Sequence, residues 1–365
     1  MQVRRPPAGR LAPRLVALVA LLAVGGCSSG PPTAGRHASP SPSASASPSP
    51  SGSLKPVLRG LLDREAAPAA GYASTFGGFV VNVHWADLQP VRGGPIVTPN
   101  AISEAIAEVK DLDAQGDHLG FKIRLYAGIY APPWAKSMDG PPVPVRDPTS
   151  GATGTIGRFW TEDFSRAYAD LEKKLAALYD GVPEVREVTI SQCTTIYAEP
   201  FIRDASDPTT VAGLLQAGFT TTADSRCLAD EVQAHEAWKH TRSDLSFNPY
   251  QVLDPAGGGR PSEAVTETVM SYCRQVLGPR CVLENNSIRV PPQAAYVPMY
   301  TAMSALGPPI AFQTATIRKV GNLLETISYA ASLGATSVEV PSGYTDYPPA
   351  QLKDAASGLM TNHSP

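Results

Sequence analysis

The chain has 365 residues, of which 43% are hydrophobic and 17% charged, and its formal net charge is −3. The first 53 residues hold five of the 30 basic side chains and none of the 33 acidic ones, so the remainder carries a net charge of about −8. A nucleic-acid-binding protein would need a basic face, and this charge balance argues against such a partner. The remaining length is enough to bury a large core without a metal ion or many disulfides.

Residues 1–27 have the order of an export signal. Four arginines precede an apolar run over 15–24 that is too short to span a bilayer as a mature helix. The run ends at Gly25-Gly26-Cys27, which resembles a bacterial lipobox, where the cysteine becomes lipid-modified and forms the new N-terminus. We therefore expect an extracytoplasmic protein anchored by lipid at the outer face of the cell membrane. The alternative is an ordinary signal peptide in which Cys27 stands by chance.

The next segment, 28–53, is rich in serine and proline and carries no large apolar side chain. Such a segment cannot offset its conformational entropy by burial, so we expect a disordered tether. The domain that carries the function is then 54–365.

Four cysteines remain if Cys27 carries lipid: Cys193, Cys227, Cys273 and Cys281. An even number in an exported protein favours two disulfides. Cys273 and Cys281 bracket a short segment between a predicted helix and a predicted strand, which favours a local pair and leaves Cys193 with Cys227. The alternative is four buried free thiols. The absence of a CxxC motif and the scattered histidines give a zinc site little support, and nothing in the sequence requires a metal or an organic cofactor.

Beyond the tether, apolar runs typical of strands alternate with patterns typical of helices. The predicted strands are 57–59, 79–84, 122–127, 187–191, 245–248, 281–285, 310–314 and 337–340. The main predicted helices are 101–115, 162–179, 227–241, 262–276, 293–306 and 317–333. The strands are almost continuously apolar, as expected for parallel strands buried on both faces.

Eight strand and helix units in a domain of this size indicate an α/β fold of the (β/α)8 TIM barrel type. An open doubly wound sheet is the competing architecture. It would usually show a glycine-rich phosphate loop after its first strand, and the sequence contains neither a GxGxxG nor a Walker motif. The barrel is therefore preferred, and its first strand is the least clearly defined.

In such a barrel, the functional residues lie at the carboxyl ends of the strands. The predicted strand ends carry aromatic, amide, carboxyl and guanidinium side chains, namely Trp85, Asp87, Arg124, Tyr126, Trp134, Tyr197, Glu199, Asn248, Glu284, Asn285, Gln313 and Glu339. Aromatic rings stack on the apolar faces of sugars, while amides and carboxylates hydrogen-bond to hydroxyl groups. This composition suits a polyhydroxylated ligand.

Two segments of the sequence resemble motifs of a known enzyme family. The run W-A-D-L-Q-P over 85–90, followed by I-S-E-A-I over 102–106, resembles the second-strand region of clan A glycoside hydrolases, the cellulase-like and β-galactosidase-like barrels. Ala198-Glu199-Pro200 is similar to the Asn-Glu-Pro motif of that clan, whose glutamate is the general acid/base. The resemblance implies that Glu199 donates the proton, that Arg124 braces a carboxylate, and that the sugar platforms are Trp85, Tyr126 and Trp134.

The sequence departs from that clan at two positions. Ala198 replaces the asparagine before the acid/base residue, and Gln313 stands where the nucleophilic glutamate of the seventh strand is expected. An amide cannot form and release a glycosyl ester as a carboxylate does. Candidates for the second carboxylate are Glu339, Glu284 and Asp87.

Each candidate also has a purely structural interpretation. Glu339 lies between two valines, so it could be a buried carboxylate paired with Arg124. Glu284 and Asp87 could be rim or capping residues, and Glu199 could form a loop salt bridge with Arg203. The tryptophans at 85 and 134 could plug the mouth of the barrel, and Tyr197 could belong to the core.

Two functions of different class therefore follow from the sequence. The first is a glycoside hydrolase that acts on a β-linked glycan or oligosaccharide, with Glu199 as acid/base and Glu339 or Glu284 as the second carboxylate. The second is a carbohydrate-binding lipoprotein that keeps the barrel but not hydrolysis, as Gln313 favours. A transporter-type solute-binding lipoprotein is less favoured because no hinge or domain break is evident. The expected partners are a carbohydrate and the membrane that holds the lipid anchor, and a monomer is expected.

Overall fold

The computed structural model describes residues 53–254, 256 and 258–363, and its centre is a closed barrel of eight parallel strands. Each strand neighbours the next barrel strand along the chain, and the last pairs with the first, so the TIM barrel predicted from the sequence is confirmed. In chain order, the barrel strands are β1 (Gly60–Asp63), β2 (Phe76–His84), β3 (Gly120–Tyr126), β6 (Val185–Thr189), β7 (Arg242–Phe247), β10 (Cys281–Ile288), β11 (Ile310–Thr314) and β12 (Ser337–Val340).

Helices surround this barrel. They are α1 (Trp85–Leu88), α2 (Ala101–Asp113), α3 (Pro133–Lys136), α4 (Glu162–Tyr179), α5 (Pro208–Gln216), α6 (Thr221–Ala234), α7 (Glu263–Leu277), α8 (Val297–Leu306), α9 (Leu323–Ser332), α10 (Pro349–Ala355) and α11 (Ser357–Thr361). Within the described residues, none of these helices has both the length and the apolar character needed to cross a bilayer. The expected signal segment, the lipobox at Cys27 and the tether lie outside the described residues.

Two small hairpins lie outside the barrel and were not predicted. β4 (Val143–Arg146) pairs with β5 (Thr153–Ile156), and β8 (Gln251–Leu253) pairs with β9 (Gly259–Pro261), both antiparallel. The first interrupts the connection from β3 to α4, and the second interrupts the connection from β7 to α7. Both connections follow the carboxyl ends of barrel strands, so the hairpins belong to the functional face.

Several element boundaries differ from the sequence prediction for identifiable reasons. The first strand runs over Gly60–Asp63 instead of 57–59, because all four residues pair with β12 and the last three also pair with β2. α6 begins earlier than predicted, since the Thr220 side chain caps it by accepting from the backbone of Ala223. α9 begins at Leu323 because Asn322 caps it in the same way, so residues 317–322 lie outside the helix that was predicted to start at 317.

The side chains of β3 show how the strands divide their two faces. Ile123 and Leu125 are fully buried in the apolar core, whereas the intervening Lys122 and Arg124 form ion pairs with carboxylates of other barrel strands. Because successive side chains of a strand point to opposite faces, the barrel interior receives the charged set and the helices cover the apolar set.

Both predicted disulfides are present. Cys193 is bonded to Cys227 and Cys273 to Cys281, with Cα atoms 6.0 and 5.9 Å apart. The first joins the loop after β6 to α6. The second closes the short connection from α7 to β10.

A glycine after β3 allows two functional loops to touch. An added Cβ atom at Gly128 would lie 1.7 Å from the carbonyl oxygen of Thr195, and the backbone of Ile129 donates to that same oxygen at 2.9 Å. The loop after β3 is thereby fixed against the loop after β6.

We expect Gly128→Ala to destabilise the protein, because the new methyl group forces these two backbones apart. Overpacking of this kind costs on the order of 1–3 kcal/mol. Gly181→Ala is the matched control, since a Cβ atom there meets nothing within 4 Å. Urea unfolding of both variants checks this, and equal stabilities would contradict the close approach.

Candidate functional site

The barrel interior holds a cluster of buried charges centred on the Lys122 ammonium. Its Nζ lies 3.0 Å from Asp244, 2.9 Å from Glu339 and 3.6 Å from Glu187, and it also donates to Glu284. Lys122 and all four of these acidic side chains are at most 1% exposed. The five residues come from five different barrel strands. One ammonium group therefore connects β3 to four other strands through ion pairs in the barrel interior.

Three of these carboxyl groups have shifted pKa values, and the shifts differ in direction. Despite its burial, Glu339 has its pKa held at about 2 by the charges of Arg124 and Lys122. Burial, together with the nearby Asp244 and Glu339, raises the pKa of Glu284 far above its usual value. Burial also raises the pKa of Glu187 to about 7. Burial therefore favours the neutral forms of Glu284 and Glu187, which lessens the repulsion within a cluster that has more carboxyls than cations.

Arg124 connects this interior cluster to the mouth of the barrel. Its guanidinium donates to Glu339, which also contacts Lys122, and only 5% of the residue is exposed. Tyr126 follows on the same strand, and it lies close enough to Arg124, Glu339 and Glu199 for their charges to affect its pKa. The predicted bracing of a carboxylate by Arg124 thus takes the form of a buried ion pair with Glu339.

Glu199 lies at the mouth, on the loop after β6, and is partly buried. Its carboxylate accepts a hydrogen bond from Asn248. Burial raises the pKa of Glu199 to about 7, with a smaller contribution from Asp204, while Asn286, Asn248 and Arg124 act in the opposite direction. A carboxyl with such a pKa is in the range that general acid/base catalysis requires at neutral pH.

The amide that binds Glu199 is itself held in place. Asn248 accepts from Asn285 Nδ2 at 3.0 Å, and the same nitrogen donates to the carbonyl oxygen of Phe247 at 2.8 Å. The Asn285 side chain also accepts from the Tyr300 hydroxyl at 3.0 Å. Asn285 is fully buried, so it positions Asn248 and does not face a ligand.

The loop that carries Glu199 is attached to α6 by three kinds of contact. The Cys193 disulfide joins it to Cys227, and the backbone of Cys193 donates to Glu231 at 2.9 Å. Arg203, at the other end of the loop, forms two hydrogen bonds with Asp224 at 3.0 and 2.6 Å and a third with the carbonyl oxygen of Cys193. Arg203 therefore pairs with Asp224, and the alternative salt bridge between Glu199 and Arg203 is wrong.

Neither of the two preferred second carboxylates presents itself to a ligand. Glu284 is 0% exposed and Glu339 is 1% exposed, and both belong to the Lys122 cluster. The expectation that one of them acts on a sugar is corrected by this burial, and the structural interpretation of Glu339 as a partner of Arg124 agrees with the contacts. Gln313, at the expected nucleophile position, is the backbone partner of Glu339 in the sheet and is partly buried.

The expected aromatic platforms also differ in position. Trp85 has no exposed surface, and its Nε1 donates to Gln89 at 3.1 Å, so it packs inside the protein and offers no face to a sugar. Trp134 is partly buried and packs edge-on against Trp85. It lines a depression beside α4 that also contains Arg166.

Tyr126, Asp87 and Tyr197 occupy three separate surroundings. Tyr126 is partly buried at the mouth, in edge contact with the rings of His84 and Tyr130. The Asp87 side chain is 77% exposed and lies 3.2 Å from Nδ1 of His84. Tyr197 donates to Asp147 at 2.6 Å and so turns toward the β4–β5 hairpin.

The sequence analysis missed Lys122, Glu187, Asp244 and Asn286. The first three could have been found, because each is a charged residue inside an otherwise strand-like run, as in F-K-I-R-L-Y over 121–126. In a barrel, such a residue must face the interior and find partners there. Asn286 follows Asn285 in the sequence, but no pattern distinguishes the amide that faces Glu199 from the buried one.

A cavity of about 450 Å³ is lined in part by Pro249, the residue that follows Asn248. Its lining includes Pro249, Ser262, Ala295 and Met299, so it lies between the β8–β9 hairpin and the start of α8. Its size falls within the range of small-molecule sites. Within the described part of the chain, no group of three or more histidine, cysteine, aspartate or glutamate side chains is arranged to hold a metal ion.

Comparison with known proteins gives matches among solved structures. No family model matches the chain, and no curated protein matches it. A β-galactosidase from Rahnella sp. R3 is similar with a TM-score of 0.49 and 12% identity, over 85% of this chain and 58% of the other. The catalytic domain of a β-amylase from Paenibacillus polymyxa is similar with a TM-score of 0.46 and 10% identity, over 85% of this chain and 98% of the other. Endo-glycoceramidase II from Rhodococcus sp. is similar with a TM-score of 0.40 and 14% identity, over 80% of this chain and 75% of the other.

The barrel of this chain is shown by its own strand pairing. The chemistry of the site rests on the residues described above.

We expect Lys122→Met to destabilise the protein strongly, because it leaves the buried carboxyl groups without their shared cation. Breaking a buried ion pair costs about 3–5 kcal/mol. Without the ammonium, the folded-state pKa values of these carboxyls rise above their unfolded values. The stability of the variant is then best preserved below the unfolded pKa and is lost as the pH rises.

Urea unfolding at pH 5 and pH 8 measures this effect, with the exposed Lys319→Met as the matched control. The free energy of unfolding of Lys122→Met should fall further below that of the wild type at pH 8 than at pH 5. A deficit that shrinks with rising pH would contradict the proposed charge balance.

Proposed function

We propose that the chain is a glycoside hydrolase that acts on a β-linked glycan or oligosaccharide, with Glu199 as the proton donor. The observation that carries this proposal is the environment of Glu199. Its carboxyl is partly buried at the barrel mouth, bonded to Asn248, and has its pKa raised by burial to about 7. It is therefore protonated in part at neutral pH and can donate to a glycosidic oxygen.

The surroundings of Glu199 support a sugar as the ligand. Three polar side chains approach it from three other barrel strands, namely Asn248, Asn286 and Arg124. Amides that bond to a carboxyl can also exchange hydrogen bonds with sugar hydroxyls. The partly buried ring of Tyr126 offers an apolar surface for a sugar face, and the cavity that Pro249 lines offers room for a neighbouring unit. The β linkage rests on the resemblance of the 85–90 and 198–200 segments to clan A enzymes.

The second carboxylate decides how the reaction is completed. Because Glu284 and Glu339 are buried, Asp87 is the remaining exposed member of the three candidates, and it lies beside His84. In a hydrolase of this kind, one carboxyl protonates the leaving oxygen and the other acts as nucleophile or activates water. We assign the second role to Asp87.

A second candidate function is carbohydrate binding without hydrolysis. It is favoured by the burial of Glu284 and Glu339 and by Gln313 at the expected nucleophile position. In this case Glu199 and the amides around it would bind a glycan without breaking a bond. The two functions differ in one measurable property, turnover.

We expect Glu199→Gln to abolish the hydrolysis of oligosaccharides and of aryl glycosides with poor leaving groups, while glycan binding is preserved. General acid catalysis contributes about 10²–10⁴-fold. A dinitrophenyl glycoside needs little protonation of its leaving group, so its hydrolysis should suffer much less. Rates for a leaving-group series, with binding followed by calorimetry, make this comparison.

The exposed Glu104→Gln is the matched control and should leave all rates unchanged. Wild-type activity on oligosaccharides should fall as the pH rises through about 7, since Glu199 then loses its proton. Equal losses for good and poor leaving groups would contradict the role as proton donor. Glycan binding by the wild type with no turnover on any substrate would support the binding function instead.

The same proposal places the protein at the outer face of the cell membrane, held by lipid on Cys27. This rests on the 15–27 pattern alone. We expect wild-type protein expressed in a bacterium to partition into the detergent phase of a Triton X-114 extract, and Cys27→Ser to stay in the aqueous phase. Equal partitioning of the two proteins would contradict the lipid anchor.

A further inference from the structure

The end of the barrel opposite Glu199 contains a second cavity, of about 550 Å³. It lies where the amino-terminal ends of β2, β6 and β7 meet the segment that leads into β1. Its lining includes five basic side chains and no acidic one, namely Lys55, Arg59, His118, Arg186 and Arg242. So many cations around one space repel each other and favour an anion with several charges or several acceptor oxygens.

Arg242 is the most informative of these residues. It is 4% exposed, one of its terminal nitrogens donates to the carbonyl oxygen of Lys55, and its Nε has no hydrogen-bond partner. Burial lowers the pKa of Arg242, Glu187 opposes this, and the neighbouring Arg59 lowers the pKa further. A buried guanidinium with an unsatisfied donor, in a cavity lined by other cations, is unusual unless a ligand completes it.

Arg186 shows the same feature on the other side of the cavity. Its Nε is buried without a hydrogen-bond partner. The side chain crosses directly over Gly120, where an added Cβ atom would lie 2.5 Å from both Cδ and Nε of Arg186. The absence of a side chain at Gly120 thus lets the guanidinium lie across the start of β3.

Several carboxylates stand near the cavity but do not line it. Asp113 lies 3.5 Å from His118 Nδ1 and, like Glu184, acts on Arg186. Asp180 accepts from the backbone of 239–241 and acts on Lys55. The Lys55 ammonium is satisfied by Val185, Tyr179 and Thr241. One terminal nitrogen of Arg59 donates to the carbonyl oxygen of Asn362 at 2.6 Å. The donors left for a ligand are therefore the remaining guanidinium nitrogens of the three arginines.

We propose that this cavity binds a phosphate-bearing ligand through Arg59, Arg186 and Arg242. Guanidinium groups match the oxygens of a phosphate with paired hydrogen bonds, and a phosphate offers enough acceptors to serve more than one of them. The volume accommodates a phosphate together with part of the molecule that carries it. The site lies at the end of the barrel away from Glu199, and it does not depend on the proposed glycosidase activity.

Two sources of phosphate fit this chemistry, a phospholipid headgroup and a soluble phosphate compound. Leu54 and Lys55, which line the cavity, directly follow the serine- and proline-rich segment whose Cys27 is expected to carry lipid. A membrane surface is therefore one source within reach of the chain.

The test uses the full chain with Cys27→Ser, so that lipid does not add membrane affinity of its own. Calorimetric titration with inorganic phosphate at low ionic strength should show saturable binding. Arg59→Gln combined with Arg186→Gln should weaken phosphate binding at least about tenfold, since hydrogen bonds from a charged donor are among the stronger ones. Arg226→Gln, an exposed arginine on α6, removes the same charge elsewhere and should have little effect.

Cosedimentation with phosphatidylglycerol and phosphatidylcholine vesicles separates the two sources. Binding to phosphatidylglycerol that falls in the double variant identifies a lipid headgroup, and phosphate binding without vesicle binding identifies a soluble ligand. If the double variant does not fold, Arg186→Gln alone gives the comparison. The proposal is overturned if the wild type binds neither inorganic phosphate nor phosphatidylglycerol vesicles, or if Arg226→Gln weakens binding as much as the cavity variants do.

Discussion

The structure depends on one ammonium group placed in the fully buried interior of the barrel. Lys122 contacts acidic side chains from four other strands, and charges in a low-dielectric interior are stable only when they are paired. Its contact with Glu339 keeps that carboxylate ionised, and Glu339 in turn holds Arg124. Arg124 then acts on Glu199. The protonation of the proposed catalytic residue is thereby linked, through two ion pairs, to the centre of the fold.

Much of the fold could be predicted from the sequence because it follows from local patterns. Seven of the eight predicted strands overlap barrel strands, the strand order is as predicted, and both predicted disulfides are present. The element ends were less predictable, since they depend on caps such as Asn322 and on pairing with distant strands, as for Gly60–Asp63. The hairpins arise in long connections whose sequences show no clear alternation.

The site was predictable in part, for a different physical reason. Position along a strand indicates which residues lie near the mouth, and Glu199, Asn248 and Arg124 do converge there. The sequence pattern does not indicate how deep inside the barrel a strand side chain lies. Glu339 and Glu284 are on the predicted strands, yet they lie too deep to reach a ligand because the Lys122 cluster surrounds them. Trp85 is likewise at a strand end but turned inward.

The attachment of the Glu199 loop to α6 has a consequence for how substrate preference could change during evolution. A disulfide, a buried arginine–aspartate pair and a backbone contact to Glu231 hold this loop from behind. The β4–β5 and β8–β9 hairpins contact the outer side of the same loop, through Asp147 to Tyr197 and through Gln251 to Phe201 and Arg203. Insertions at the hairpin tips, beyond these contacts, could therefore reshape the entrance while the proposed proton donor keeps its position, so that new glycans become accessible without rebuilding the proposed chemistry.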